Sequence, residues 1–222
     1  MIDSVDYEIR VPFYLHLRIE RRPPGGISRT MTKLEVILQS PDALAGSFAA
    51  KPKVMYRAGT RYCRIEEAAD PERRIHALMI INEPDYWMVN LLAKTARHGV
   101  DPGPTLNCRL PMFSDSTAKS TGDPSIGADL EFGLEFEYSN SKGATSKPGA
   151  VLQNKQTNVY RLQTGSSNLA FFTYGTPERP LAVARHRGDR NEIYWYSGNG
   201  HLPFEPGLFA KPEGVQIEET KP

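Results

Sequence analysis

Glu131, Glu135 and Glu137 lie at short spacing in one segment, and carboxylates so placed can hold Ca²⁺ or divide general-acid and general-base work between them. Leu130, Phe132, Leu134, Phe136 and Tyr138 alternate with them, which is also the pattern of a strand with one buried and one wet face. The second reading places the three glutamates on a solvated strand face. Five histidines, His16, His76, His98, His186 and His201, include no pair at the i, i+2 or i, i+4 spacing that puts two ligands on one metal. An enzyme would have to converge residues such as His76, His98 and Glu135 in one pocket. The sequence contains no G-x-S-x-G, no phosphate-binding G-x-x-x-x-G-K-[ST], no H-E-x-x-H and no G-x-G-x-x-G, so no cofactor or metal is indicated. Arg187-Gly188-Asp189 falls in a turn between two strands and reads as chance.

The two cysteines, Cys63 and Cys108, leave two alternatives open. In a reducing compartment they are separate, partly buried thiols. In an oxidising one they can form a single bridge, worth roughly 4 kcal/mol for a loop of this length.

Aromatic residues carry the stronger signal. Tyr86-Trp87, Phe171-Phe172 and Tyr194-Trp195-Tyr196 put aromatic rings on both faces of their strands, because neighbours on a strand point opposite ways. One face can be core. The other needs a cover, whether a helix, a loop, a partner or an apolar ligand.

The elements that hold these residues read as mostly β. Tyr7, Ile9, Val11, Phe13, Leu15, Leu17 and Ile19 are apolar at alternate positions and predict a long strand, with Pro12 marking an edge or a bulge. Pro23-Pro24-Gly25-Gly26 turns the chain, and Leu34, Val36 and Leu38 read as the return strand of that hairpin. A helical turn fits 40–46. Further strands are expected at 54–57, 61–66, 75–82, 86–91, 130–138, 157–162, 168–174, 181–185 and 193–196, with a loop at 139–148 and an extended tail from Pro203 to Val215. About ten strands with turns every 8–12 residues, and no alternation with long helices, predict one antiparallel β domain over residues 1–222.

The charge balance, 27 basic against 26 acidic residues, gives neither the clustered basic face of a nucleic-acid binder nor a polybasic membrane anchor. No apolar run approaches the length of a membrane-spanning helix. The opening residues lack the basic and apolar regions of a secretion signal, which fits a cytoplasmic protein or an exported one given without its signal.

Arg61-Tyr62-Cys63-Arg64-Ile65-Glu66, Ile80-Ile81-Asn82 leading into Asp85-Tyr86-Trp87-Met88-Val89, and Lys94-Thr95 together resemble the middle of the periplasmic lipoprotein-carrier superfamily, the LolA-like outer-membrane lipoprotein-sorting proteins. Arg179-Pro180-Leu181 and the closing Leu202-Pro203-Phe204-Glu205-Pro206-Gly207-Leu208-Phe209 through Val215 and Ile217 add to the likeness. The chain departs from that pattern in opening on an alternating strand rather than an amphipathic helix, and its lid helices are short or absent.

The resemblance implies a half-open antiparallel barrel with one or two short helices plugging its concave face, in a periplasmic or otherwise exported protein. It also implies a non-enzymatic carrier that shelters a lipid or lipoprotein acyl chain, with Phe13, Leu15, Tyr86, Trp87, Phe171, Phe172 and Trp195 as apolar lining. The alternative on the same sheet is a structural or protein-interaction module of the cell envelope, with the barrel plugged and an edge strand such as 7–19 pairing with a partner.

Overall fold

The computed structural model describes residues 29–39, 51–59, 61–100, 112–113, 126–127, 129–165, 167–188 and 190–219. The expected strand at 7–19 with Phe13 and Leu15, the turn at 40–46, and Cys108 lie outside these residues.

Among the described residues a first meander comprises β1 (Thr30–Gln39), β2 (Lys53–Ala58), β3 (Tyr62–Glu67), β4 (Ala77–Asn82), β5 (Asp85–Asn90) and β6 (Thr95–Val100). The helix α1 (Glu135–Ser141) leads into a second meander, β7 (Ser146–Leu152), β8 (Lys155–Thr164), β9 (Ser167–Tyr174), β10 (Arg179–Arg187) and β11 (Arg190–Pro203). A 3₁₀ turn at Pro206–Phe209 and a short β12 (Gln216–Glu219) follow. All twelve strands form one curved, unclosed sheet in the order β12-β6-β5-β4-β3-β2-β1-β11-β10-β9-β8-β7. The fold is mostly β, as the sequence predicts. The β1–β11 ladder joins the two meanders, and every described pairing is antiparallel except β12 with β6.

Strand patterning follows from what covers each face. On the face called inner here, Leu34, Val36, Met55, Ile65, Ile81, Phe171, Val183 and Tyr194 form one buried cluster beneath Phe113, Leu130, Phe132 and Tyr138. On the outer face Leu78, Ile80, Trp87, Val89 and Ala96 are buried beneath the C-terminal tail, whose Phe209 is fully enclosed. β4 is covered on both sides, so its Leu78–Ile81 stretch is continuously apolar rather than alternating.

Four expectations are corrected. Residues 130–138 are not a strand: Gly133 adopts φ +79°, and the segment turns there and coils into α1. Within α1, Glu135, Tyr138 and Ser139 are buried at helical i, i+3, i+4 spacing, which a run of alternating residues also permits. β1 is not the return strand of an opening hairpin, because β2 and β11 occupy its two edges. Part of the expected loop at 139–148 belongs to β7, a sheet edge in the described structure, where Pro148 is tolerated beside a bulge. The tail is not simply extended, since it holds the 3₁₀ turn and β12.

Candidate functional site

The inner face is plugged by the chain itself. Residues 126–127 and the plug proper, 129–141, lie across it together with Met112 and Phe113. Phe132 meets Tyr194 edge-on at 4.9 Å, and Phe136 meets Phe171 the same way at 4.8 Å. Arg185 on β10 lies 4.3 Å over the Phe113 ring and is held by Glu192, with Nε to Oε2 at 2.9 Å. The Gly127 N–H donates to the Tyr138 hydroxyl at 3.0 Å, tying that glycine to the helix of the plug.

Beneath this apolar layer sits a polar cluster sealed from water. Arg57, on the inward side of β2 two residues after Met55, is 4% exposed, Glu131 is 7% and Glu135 is 2%. Arg57 Nη2 donates to Glu131 Oε2 at 2.8 Å. Glu135 Oε1 accepts from the Gly133 N–H at 2.8 Å and from the Tyr196 hydroxyl of β11. The plug is thus pinned twice through polar contacts, once to β2 and once to β11. Gly133 also permits close approach, because a Cβ there would come within 3.2 Å of Arg57 Cδ.

Burial sets the protonation of this cluster. It raises the Glu135 carboxyl above the usual carboxylate range, against the Tyr196 and Gly133 hydrogen bonds that favour the anion. Burial, then the neighbouring Glu135, raises the Tyr196 hydroxyl well above its ordinary value. Burial also pushes the Cys63 thiol up, although the Arg57 guanidinium beside it works the other way. At Arg57 itself burial opposes the charge, and Cys63, Glu131 and Glu135 outweigh it, so the guanidinium is held ionised. Arg57 Nε finds no hydrogen-bond partner in the described structure, which adds to the cost of keeping the cluster dry. Chemically the arrangement is a clasp: its groups face one another, and in this state they do not face solvent.

The sequence-predicted lining residues do not converge. Tyr86 and Phe171 reach the inner cluster. Trp87 points to the outer face, where it stacks on His98 at 5.2 Å beneath the tail. Phe172 and Trp195 also face outward, in one cross-strand row through Ala182. Adjacent residues on a strand cannot line one hollow, so pairs such as Tyr86-Trp87 divide between the two faces. His76, His98 and Glu135 do not share a pocket. His76 Nε2 lies 3.0 Å from Glu66, His98 lies between Asp85 and Glu219, and Glu135 is in the clasp. Glu131 and Glu135 are buried rather than solvated, and Glu137 alone of the three is exposed.

A shallow groove of about 470 Å³ includes Lys33, Glu35, Tyr56, Glu66 and His76 in its lining. Lys33 and His76 are each answered by an acid there, with Lys33 to Glu35 at 2.9 Å. Lys53 also lines the groove; burial lowers its amine to about 8. Among the described residues no group of three or more His, Cys, Asp or Glu side chains is placed to hold a metal ion. No described helix is long and apolar enough to cross a membrane. Cys63 is a buried free thiol.

The residues missed from sequence were Arg57 and Tyr196. A usable signal existed for Arg57: it shares strand parity with Met55, which puts an arginine on the buried side of β2.

No family model and no curated protein matches the chain. Among solved structures it is similar to an uncharacterized conserved protein from Thermus thermophilus, at 10% identity and a TM-score of 0.49, over 86% of this chain and 91% of that one. It is also similar to PNGF-II, at 7% identity and a TM-score of 0.36, spanning 31% of that longer chain. A LolA superfamily protein from Nitrosomonas europaea is similar at 9% identity and a TM-score of 0.31, over 84% of this chain and 92% of that one.

Proposed function

We propose that this protein is a non-enzymatic, exported carrier or binding protein that shelters an apolar ligand, a lipid or a lipoprotein acyl chain, on the inner face of its sheet when the 129–141 plug moves aside. The observation that carries this reading is the clasp. A plug that served only as core would be expected to seat on apolar contacts alone, whereas this one is fastened through a buried ion pair and a buried carboxyl, Arg57–Glu131 and Tyr196–Glu135. Buried ion pairs add little net stability over apolar replacements, so their presence favours a role in holding and releasing. A sixteen-carbon acyl chain gains roughly 0.8 kcal/mol per buried CH₂, about 12 kcal/mol in all, against roughly 1.5–3 kcal/mol for each large plug residue such as Leu130 or Phe132 returned to water.

The depth at which Phe113, Leu130 and Phe132 are seated favours a second reading, a structural or interaction module of the cell envelope whose sheet stays plugged. One experiment separates the two. The purified protein is examined by native mass spectrometry for retained lipid and titrated with an anthroyloxy-labelled fatty acid, beside the clasp variant Glu131→Gln. The carrier reading expects retained lipid or saturable probe binding, strengthened in the variant. Absence of both in both proteins removes the carrier reading and leaves the plugged module.

A further inference from the structure

The clasp contains an imbalance. One guanidinium, Arg57, faces two carboxyl groups, Glu131 and Glu135, in a place where all three are less than a tenth exposed. With both acids ionised the cluster would hold an uncompensated negative charge away from water, which is costly. Glu131 is matched by its 2.8 Å contact with Arg57. Glu135 sits in the first turn of α1 and meets the Tyr196 hydroxyl and the Gly133 N–H, neither of which carries charge. Among the described residues the titratable and charged groups that act on Glu135 are Tyr196 on β11 and Arg57 on β2; Glu131 on the plug and Cys63 on β3 act in turn on Arg57, and Tyr194 on Tyr196. Of these only Arg57 is a cation, and Glu131 already occupies it.

We propose that Glu135 is a proton-operated catch on the plug: protonated, it lets the 129–141 segment seat, and on ionisation it drives that segment off the inner face. This rests on reading the inner face as the binding surface, and it names what regulates access to it. The direction of the Glu135 shift agrees, since burial raises its carboxyl. A group whose seated-state pKa lies above its open-state value stabilises the seated state fully below the open-state value and loses that stabilisation as pH rises through the seated-state value. Between an open-state carboxyl near 4.3 and the raised seated one, the opening equilibrium climbs about tenfold per pH unit, then levels off.

Amide hydrogen exchange across α1 tests this without any ligand. The reporters are amides such as that of Tyr138, which donates to Leu134 O at 2.9 Å, with rates divided by their intrinsic pH dependence. The expected result is an opening constant that rises as pH climbs above the open-state carboxyl value of about 4.3 in the wild type and a flat one in Glu135→Gln, which cannot ionise. The same pH profile in both proteins overturns the proposal. Should the variant fail to fold, carbon-13 titration of the Glu135 carboxyl in the wild type decides: a seated-state carboxyl that titrates at or below the free value of about 4.3 sinks it, and one that titrates above it sustains it. Fatty-acid probe uptake is followed separately over the same range. Opening that rises with pH without uptake at any pH removes the carrier reading and keeps the catch, whereas uptake with pH-independent opening keeps the carrier and removes the catch.

Discussion

The ring of Tyr86 on β5 occupies the place where a side chain on Gly99 of β6, its cross-strand partner, would stand. An ideal Cβ on Gly99 would come within 2.7 Å of Tyr86 Cε1 and closer still to Cζ and Oη. Gly99 therefore lets the large Tyr86 ring close the inner cluster over β6, and a side chain there would force that ring to shift. Gly99→Ala is expected to destabilise the fold by about 1–3 kcal/mol through overpacking. Combining it with Tyr86→Leu should recover part of that loss, because residues in contact couple by roughly 0.5–3 kcal/mol. Urea denaturation of the four proteins measures this, and strict additivity would show that the two residues do not meet.

The Arg57–Glu131 pair leads to a different pattern. Arg57→Met alone leaves Glu131 buried without its partner and is expected to cost about 3–5 kcal/mol. Replacing both, Arg57→Met with Glu131→Leu, is expected to cost much less or to stabilise, since apolar groups of similar size fill the site without desolvated charge. Chemical denaturation reads both, and a double variant weaker than the single one would mean that the pair itself drives seating of the plug.

Much of the sheet was legible from sequence because its hairpins are short and its strands alternate. β2, β3, β5, β8 and β9 each buries residues that the period-2 pattern marks, whereas β4 and β10 also bury consecutive residues. β6 escaped because its inner side carries the exposed Thr95 and Arg97 beside Gly99, which leaves no apolar alternation to read. β7 escaped because it is a polar edge with Pro148 and little to bury. The candidate site was half legible. The spacing of Glu131 and Glu135 drew attention to them, but alternation cannot tell a strand from a turn leading into a helix, and the left-handed Gly133 decides which face each glutamate meets. The divided fate of Tyr86 and Trp87 follows from strand geometry, but which side is inner depends on coverings far away in sequence.

The tail provides a third expectation. Phe209 is wholly buried on the outer face, 5.4 Å from Tyr62 and 5.7 Å from Phe204. Asn82 Nδ2 also reaches toward Phe209 O, at 3.4 Å. Phe209→Ala is expected to cost about 3–5 kcal/mol, the usual range for emptying an aromatic core site. Phe209→Leu should cost less. Thermal melts give the loss, and limited proteolysis should cut the alanine variant first within the tail, since Phe209 is its most deeply buried side chain.

His98 gives the fourth expectation, and its sign is fixed by its surroundings. Nδ1 lies 2.6 Å from Glu219 on β12, and Nε2 lies 2.8 Å from Asp85 on β5. Burial works against protonation, but the two carboxylates outweigh it and raise the imidazole above its ordinary value. The folded pKa therefore exceeds the unfolded one near 6.5, so the stabilisation is present in full below about pH 6.5 and fades as pH rises through the folded value. Glu219 is largely exposed, so the effect on global stability is about 1 kcal/mol or less. It should be concentrated at the tail, where β12 pairs with β6 over only four residues. Hydrogen exchange of the β6–β12 ladder is therefore expected to speed up, beyond its intrinsic pH dependence, as pH rises through that folded value. His98→Gln should remove that dependence and leave α1 unaffected, and a β12 whose protection ignores pH in the wild type would show that the histidine does not hold it.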